Sequence, residues 1–180
     1  PGPLVPIPTD LWSPPAGATP ALGNWAYFKS DKGDWVGQGQ AYLYTAPPAA
    51  IDVNTGAAVM SAGHAAIRIS QPGAGWLGEL QAPAGLRQLQ VGYYPGVMRY
   101  LFHDPVRGGM EWDGNHNGCN ELSGWFVIDA IGYDDAGRIT ALDARFEQHC
   151  ENQLPALHGA IHWRAADVPP AAGVASAPRT

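Results

Sequence analysis

Apolar side chains alternate with polar ones along most of this chain, and this two-residue period constrains its fold more than any other feature of the sequence. In residues 138–150, Leu142, Ala144, Phe146 and Cys150 fall on one face, while charged and histidine side chains fall on the other. Successive side chains of a β-strand point to opposite faces, whereas an amphipathic helix repeats every 3.6 residues. The same pattern predicts eight strands, at 40–45, 64–70, 76–80, 89–91, 97–102, 125–133, 138–150 and 157–163.

Turn-forming residues separate these strands, and the chain is rich in them, with 23 glycines and 17 prolines. Many short strands bounded by such turns are typical of β-sandwiches and barrels. We therefore predict an all-β fold, an antiparallel β-sandwich with a barrel-like variant as the alternative. The proline-rich residues 1–23 should form an extended arm, residues 24–165 a single domain, and residues 166–180 a flexible, disordered tail.

The last two predicted strands also suggest a register. If residues 151–156 close a hairpin, Phe146 lies opposite Ile161, and the apolar and polar faces of the two strands then agree. This register places His149 opposite His158 on the polar face.

The chain has two cysteines, too few for a cysteine-only zinc site, and they do not form a CxxC pair. Cys150 ends a core-facing strand and Cys119 lies just before another strand. A disulfide between them would close a loop of about thirty residues, stabilise the fold by roughly 3–4 kcal/mol and indicate an oxidising compartment. The alternative is a pair of buried free thiols in a cytosolic protein.

Several short motifs stand out in the second half of the chain, and they are Gly118-Cys-Asn120, Gly124-Trp-Phe126, Phe146-Glu-Gln-His-Cys-Glu151, Pro155-Ala-Leu157, Gly159 and Ile161. Together they resemble a recurring domain of exported and surface proteins of bacteria. The resemblance covers most of the folded body and implies a secreted β-domain with a Cys119–Cys150 bridge. That family has no established activity, so the resemblance assigns no functional residues.

The polar face of the last two strands concentrates histidines and carboxylates. In the register above, Glu147, His149 and His158 converge there. Two imidazoles and a carboxylate form a ligand set that suits zinc, so these three residues are candidate metal ligands. The alternative is a solvated outer face whose charges pair across the strands.

The segment 113–118 has the spacing Asp-x-Asn-x-Asn-Gly, with which an EF-hand calcium loop begins. Asp113, Asn115 and Asn117 are therefore candidate calcium ligands, and beyond such an ion the sequence indicates no cofactor. The twelfth position of the loop is Gly124 rather than glutamate. Because Asn, Asp and Gly are also common in tight turns, a plain turn is the alternative.

Aromatic residues supply the remaining signal, with seven tryptophans and seven tyrosines. Flat rings that carry a polar tip suit a sugar- or peptide-binding face. Trp76 and Trp112 lie close to glycines, where loops would present them, and are candidate ligand-binding residues. Trp125 and Trp163 fall on predicted strands and should be buried.

Charge and motif content exclude several classes of function. A net charge of −6, with ten lysines and arginines and no basic run, argues against a nucleic-acid partner. The sequence contains no apolar run of about 18 residues, the length that would predict a membrane span. It also contains no serine elbow, phosphate loop or dinucleotide fingerprint.

We expect a monomeric bacterial module that is exported after loss of a leader and is secreted, periplasmic or on the cell surface. Its expected partner is a glycan or a protein of the extracellular space or envelope. The first alternative is a hydrolase that uses carboxylates or a metal on the His-rich face. The second is a purely structural surface domain.

Overall fold

The computed structural model describes residues 5–54 and 63–168, in which the regular structure is almost entirely β-strand. The strands are β1 (Asn24–Ser30), β2 (Ala41–Ala46), β3 (Ala50–Asn54), β4 (His64–Gln71), β5 (Ala74–Gln81), β6 (Gly92–Arg99), β7 (Gly109–Gly114), β8 (Leu122–Tyr133), β9 (Ile139–Cys150) and β10 (Ala156–Arg164). A 3₁₀ helix (Ala165–Asp167) follows β10, and residues 169–180 of the predicted tail lie outside the described residues.

The ten strands form one mixed sheet that is nearly closed and barrel-like. The strand order is β2-β1-β10-β9-β8-β6-β7-β5-β4-β3, and every neighbouring pair is antiparallel except β6 and β7. The Nε1 of Trp163 on β10 donates a hydrogen bond to the carbonyl oxygen of Ile51 on β3 at 2.9 Å, which links one edge strand to the third strand from the other edge. The predicted all-β class is confirmed, in its barrel-like variant.

Aromatic rings from four strands fill the middle of the interior. Phe28 on β1 stacks on Trp76 on β5 with ring centroids 4.2 Å apart, and Trp112 on β7 stacks on Phe146 on β9 at 4.6 Å. Gly78 on β5 makes room for this cluster, because a side chain there would collide with the Trp112 ring. Stacked rings of this size bury a large apolar area and dominate the energetics of a core.

The pairing of β9 with β10 differs from the predicted register by two residues. Phe146 lies opposite Gly159, and Glu147 rather than His149 lies opposite His158. Gly159 accounts for this pairing, since any side chain at that position would collide with the Phe146 ring. A shift of two residues leaves every side chain on its predicted face, so the alternation of polar and apolar residues does not distinguish the two registers.

Gln148 ties β9 to β7 through the interior. Its Oε1 accepts a hydrogen bond from the backbone N–H of Trp112 at 2.8 Å, and its Nε2 donates to the Trp112 carbonyl oxygen at 2.9 Å. The parallel pairing of β7 with β6 covers only two residue pairs near the start of β7. Because buried backbone groups need partners, the fully buried Gln148 amide takes the place of a neighbouring strand at Trp112.

The predicted disulfide is present between Cys119 and Cys150, with a Cα–Cα distance of 5.0 Å. It joins the segment before β8 to the end of β9, where the two strands already pair. The cross-link therefore closes the open end of an antiparallel pair and stabilises it by restricting the unfolded chain.

The described part of the arm lies against the outer face of the sheet. The backbone N–H of Tyr93 on β6 donates to the Val5 carbonyl oxygen at 3.2 Å, and further along the arm Trp12 stacks on His158 of β10 at 5.2 Å. Arg145 on β9 holds the arm in place by donating to the Trp12 carbonyl oxygen at 2.9 Å. The arm thus crosses the strands from β6 to β10.

Candidate functional site

Three carboxylates line up on the outer face of β5 and β7. The register pairs Glu79 with Glu111 and Leu77 with Asp113. Trp112, between the two acidic residues of β7, is buried in the core, so the strand period turns Glu111 and Asp113 outward. Like charges directly opposite each other destabilise a sheet, and this row therefore needs compensating groups.

Cationic and imidazole groups compensate two members of the row. The Nε of Arg99 donates to Oε1 of Glu111 at 2.8 Å, and the Nε2 of His64 contacts Oε2 of Glu79. The described residues provide no such ion pair for Asp113, which is the third member of the row.

Asp113 is held in an environment that disfavours its charge. Its Oδ1 atom is buried and has no hydrogen-bond partner in the described part of the chain. Burial raises the pKa of Asp113 to about 6, and the nearby Glu111 adds to this effect while Arg99 opposes it. The carboxyl group packs against Gly118, where a side chain would collide with it. A carboxyl group that changes charge near neutral pH is a frequent mark of a functional site.

Asp113 lines a surface cleft with a volume of about 750 Å³, which we call the Asp113 cleft. The β4–β5 hairpin forms one wall, and the end of β7 with the turn that follows it forms the other. Leu77 contributes an apolar patch to the lining. The polar side chains that line the cleft include Arg68, Ser70, Asp113, Asn115 and His116. Its volume lies in the range of small-ligand sites.

A second cleft, with a volume of about 440 Å³, lies at the opposite end of the same strands, and we call it the His103 cleft. The imidazole of His103 covers Gly109, the residue of β7 opposite Gln81 of β5, and stacks on Tyr100 at 5.9 Å. Burial lowers the pKa of His103, which favours the neutral form of the ring. The lining is otherwise largely apolar and includes Ala82, Pro83, Ala84, Leu86, Leu101 and Pro105.

The three predicted calcium ligands surround one turn, but their contacts do not single out a common ion. The Oδ1 of Asn115 accepts a hydrogen bond from the backbone N–H of Gly75 at 3.1 Å, and Asn117 closes the turn through backbone hydrogen bonds with Gly114. Across the described ranges, no group of three or more His, Cys, Asp or Glu side chains is arranged to hold a metal ion. Calcium binding by Asp113, Asn115 and Asn117 stays a prediction.

The three predicted zinc ligands do lie together on the outer face of β9 and β10. Oε1 of Glu147 lies 3.1 Å from Nε2 of His149, and its Oε2 lies 3.4 Å from Nδ1 of His158. The carboxylate thus lies between two imidazoles. This is the arrangement expected if the polar side chains of the outer face pair with one another without a metal ion. No group of three or more His, Cys, Asp or Glu side chains in residues 5–54 and 63–168 is arranged to hold a metal ion, so zinc binding by these residues stays a prediction.

The expectation that loops present Trp76 and Trp112 is wrong, and a ligand-binding role for them stays a prediction. Both side chains lie on strands rather than loops and are 3% and 0% exposed. Gly114 of β7 makes room for the Trp76 ring in the core, and Gly78 of β5 makes room for the Trp112 ring. Trp125 and Trp163 are buried as expected.

The carboxylate row was not predicted, because β7 was not among the predicted strands. Its signal was nonetheless present, since buried Met110 and Trp112 alternate with outward Glu111 and Asp113. No comparable signal marks His103, which reaches its cleft from the connection between β6 and β7.

No family model, curated protein or solved structure matches this chain. In the part of the chain that the structure describes, none of the helical residues forms a segment long and apolar enough to cross a membrane.

Proposed function

We propose that this protein is an exported bacterial binding module and that the Asp113 cleft receives a cationic group of an extracellular or envelope partner. The observation that carries the proposal is the half-buried Asp113 carboxyl group, which has no partner in the described chain and lines a cleft of ligand size. A dehydrated, unpaired carboxylate is costly, and a cation placed beside it recovers the lost interaction. Ligand binding and ionisation of Asp113 are therefore linked.

The proposed partner is a protein or peptide with an accessible lysine or arginine, rather than a glycan. Sugar-binding faces rely on exposed flat rings, and the two tryptophans nearest the cleft face the core instead. Arg68 and Asn115 also line the cleft and offer further hydrogen bonds to a peptide backbone. The Cys119–Cys150 disulfide supports an oxidising location outside the cytosol.

The test is a nuclear magnetic resonance titration of the ¹⁵N-labelled protein with Nα-acetyl-lysine amide. We expect shifts of the backbone amides of Gly75, Asn115 and Gly118 that are lost in Asp113→Asn. The neutral Nα-acetyl-glutamine amide should leave these amides unchanged. The matched variant Asp135→Asn removes an exposed carboxylate of the turn between β8 and β9 and should bind like the wild type. Equal shifts with the lysine and glutamine compounds would refute the proposal.

The pH dependence of the titration provides a second readout. With a pKa of about 6, Asp113 is mostly protonated at pH 5 and mostly ionised at pH 7. Because the cation binds the ionised form, the affinity at pH 5 should be about tenfold weaker than at pH 7. An affinity that does not change between these pH values would show that binding does not depend on the ionisation of Asp113.

Hydrolysis of a glycosidic bond is a second candidate function, favoured by one observation. Asp113 and Glu111 project from the same face of one strand, two residues apart, and only Glu111 has a guanidinium partner. Glycosidases use two carboxyl groups roughly 5–9.5 Å apart, of which the acid has a raised pKa. In this mechanism Asp113 would protonate the leaving oxygen, and Glu111 would act as nucleophile or base.

A panel of nitrophenyl glycosides distinguishes the two functions. Release of nitrophenol that is lost in both Asp113→Asn and Glu111→Gln would establish the hydrolase. Lysine-dependent shifts without any turnover would support the binding module.

A further inference from the structure

The two clefts lie at opposite ends of the outer face of β5 and β7. Leu77 and Asp113, which face each other across β5 and β7, line the Asp113 cleft. Four residues along the same pair of strands, Gln81 faces Gly109 at the His103 cleft. At about 3.3 Å per residue, the two clefts are roughly 13 Å apart.

The side chains between the clefts are polar. Glu79 and Glu111 occupy the intermediate pair, held by His64 and Arg99 respectively. These four groups are paired with one another and mostly buried, so they offer no third pocket for a side chain.

The clefts differ in the chemistry that they accept. The Asp113 cleft presents an unpaired carboxyl group and therefore suits a cation. The His103 cleft presents proline, alanine and leucine side chains with an imidazole whose neutral form is favoured, which suits an apolar group.

We propose that the ligand is an extended peptide segment with a basic residue in the Asp113 cleft and an apolar residue in the His103 cleft, four positions apart. This inference rests on the proposed function and specifies its ligand. An extended peptide also advances about 3.3 Å per residue, so four residues span the distance between the clefts. Residues four apart in an extended chain project to the same side, whereas residues three or five apart project to opposite sides. Both pockets can therefore be filled only at an even spacing.

The test uses blocked, fluorescently labelled peptides in which Lys and Phe are separated by Gly and Ser. The probes carry Lys and Phe four positions apart, in both chain orders, and the controls place them three apart or replace Phe with Ser or Lys with Gln. By fluorescence anisotropy, one chain order at spacing four should bind at least tenfold more tightly than the spacing-three and Ser controls, which is the scale expected for burying a phenyl ring.

Three variants assign each half of the affinity to its cleft. Ala84 is exposed on the wall of the His103 cleft, so Ala84→Leu should fill it without disturbing the core and lower binding to the level of the Ser peptide. Leu101→Ser, which changes a side chain that is 62% exposed, should also weaken binding of the Phe peptide. Asp113→Asn should instead reduce binding to the level of the Gln peptide.

The possible failures are distinguishable. If Lys peptides bind through Asp113 but Phe adds nothing, or spacing has no effect, the proposed function stands and the two-cleft inference is overturned. If the Gln peptide binds as tightly as the Lys peptide, or no Lys peptide binds, both fail.

Discussion

Replacement of Asp113 by asparagine is expected to stabilise the protein at neutral pH and to have little effect at pH 3. Burial raises the pKa of this carboxyl group from 3.8 in a model peptide to about 6 in the folded protein. Between these two values the folded state holds a proton that the unfolded chain has released. The stability that this proton provides is complete below pH 3.8 and is lost as the pH rises through 6. Asparagine keeps the shape of the side chain and removes the titration.

The magnitude follows from the difference between the two pKa values. A shift of about two pKa units corresponds to roughly 3 kcal/mol, since each unit is worth about 1.4 kcal/mol. Asp113 is half-buried rather than fully enclosed, so solvent screening makes this figure an upper bound. The wild type should therefore lose up to about 3 kcal/mol relative to the variant, with most of the change between pH 4 and pH 6.

The assay is urea unfolding of both proteins at half-unit intervals from pH 3 to pH 7.5, with the difference in unfolding free energy plotted against pH. Asp135→Asn is the control for the loss of one negative charge from the whole protein. A ¹³C titration of the carboxyl groups, with the Asp113 signal identified by its absence in the variant, measures the pKa directly. Parallel stability curves together with an Asp113 pKa near 4 would refute the argument from burial.

Three further predictions concern the fold. Replacing both cysteines with serine should lower the unfolding free energy by about 3–4 kcal/mol, because the disulfide closes a loop with a sequence separation of 31. Denaturant titration without reductant measures this loss, and a smaller loss would indicate an unfolded chain that stays compact. Gln148→Leu should cost roughly 2–5 kcal/mol in the same assay, since it leaves both backbone groups of Trp112 without partners, and an unchanged midpoint would contradict the bridging role. Gly159→Ala should lower the melting temperature by overpacking against Phe146, at a cost of about 1–3 kcal/mol. Gly75→Ala, in which the added methyl group meets nothing within 4 Å, should change the melting temperature little, and similar effects of the two variants would count against the packing argument.

The strands of the second half of the chain were largely predictable, because their periodicity is strong. The structure has β9 and β10 at 139–150 and 156–164, within a residue of the predicted bounds. The predicted strand at 89–91 is instead loop, and β6 begins at Gly92. Short strands such as β1, β3 and β7 were missed, since five to seven residues contain too few alternations to stand out from the surrounding turns.

The candidate site could be predicted only in fragments. Asp113 was identified through the spacing of its turn, for a role in calcium binding that has no support in the observed contacts. Nothing in the sequence near Asp113 indicates that Leu77 and Arg68, more than thirty residues away, form the other side of its cleft. These neighbours depend on the pairing of β4, β5 and β7, which is a long-range property of the sheet.

The sequence by itself determined the strand period and the faces of β9 and β10, and it left each cysteine only one possible intramolecular partner. These are local or forced choices: alternation reports which residues share a face, and two cysteines allow a single intramolecular disulfide. Only the tertiary structure decided which face closes into the barrel, which register fits and where side chains from distant strands meet. Trp76 and Trp112 became core residues because glycines on facing strands left room for their rings, and Phe146 selected Gly159 as its partner for the same reason. A two-residue period is unchanged by a shift of two, so the volume of each side chain against its neighbours had to settle what the pattern left open.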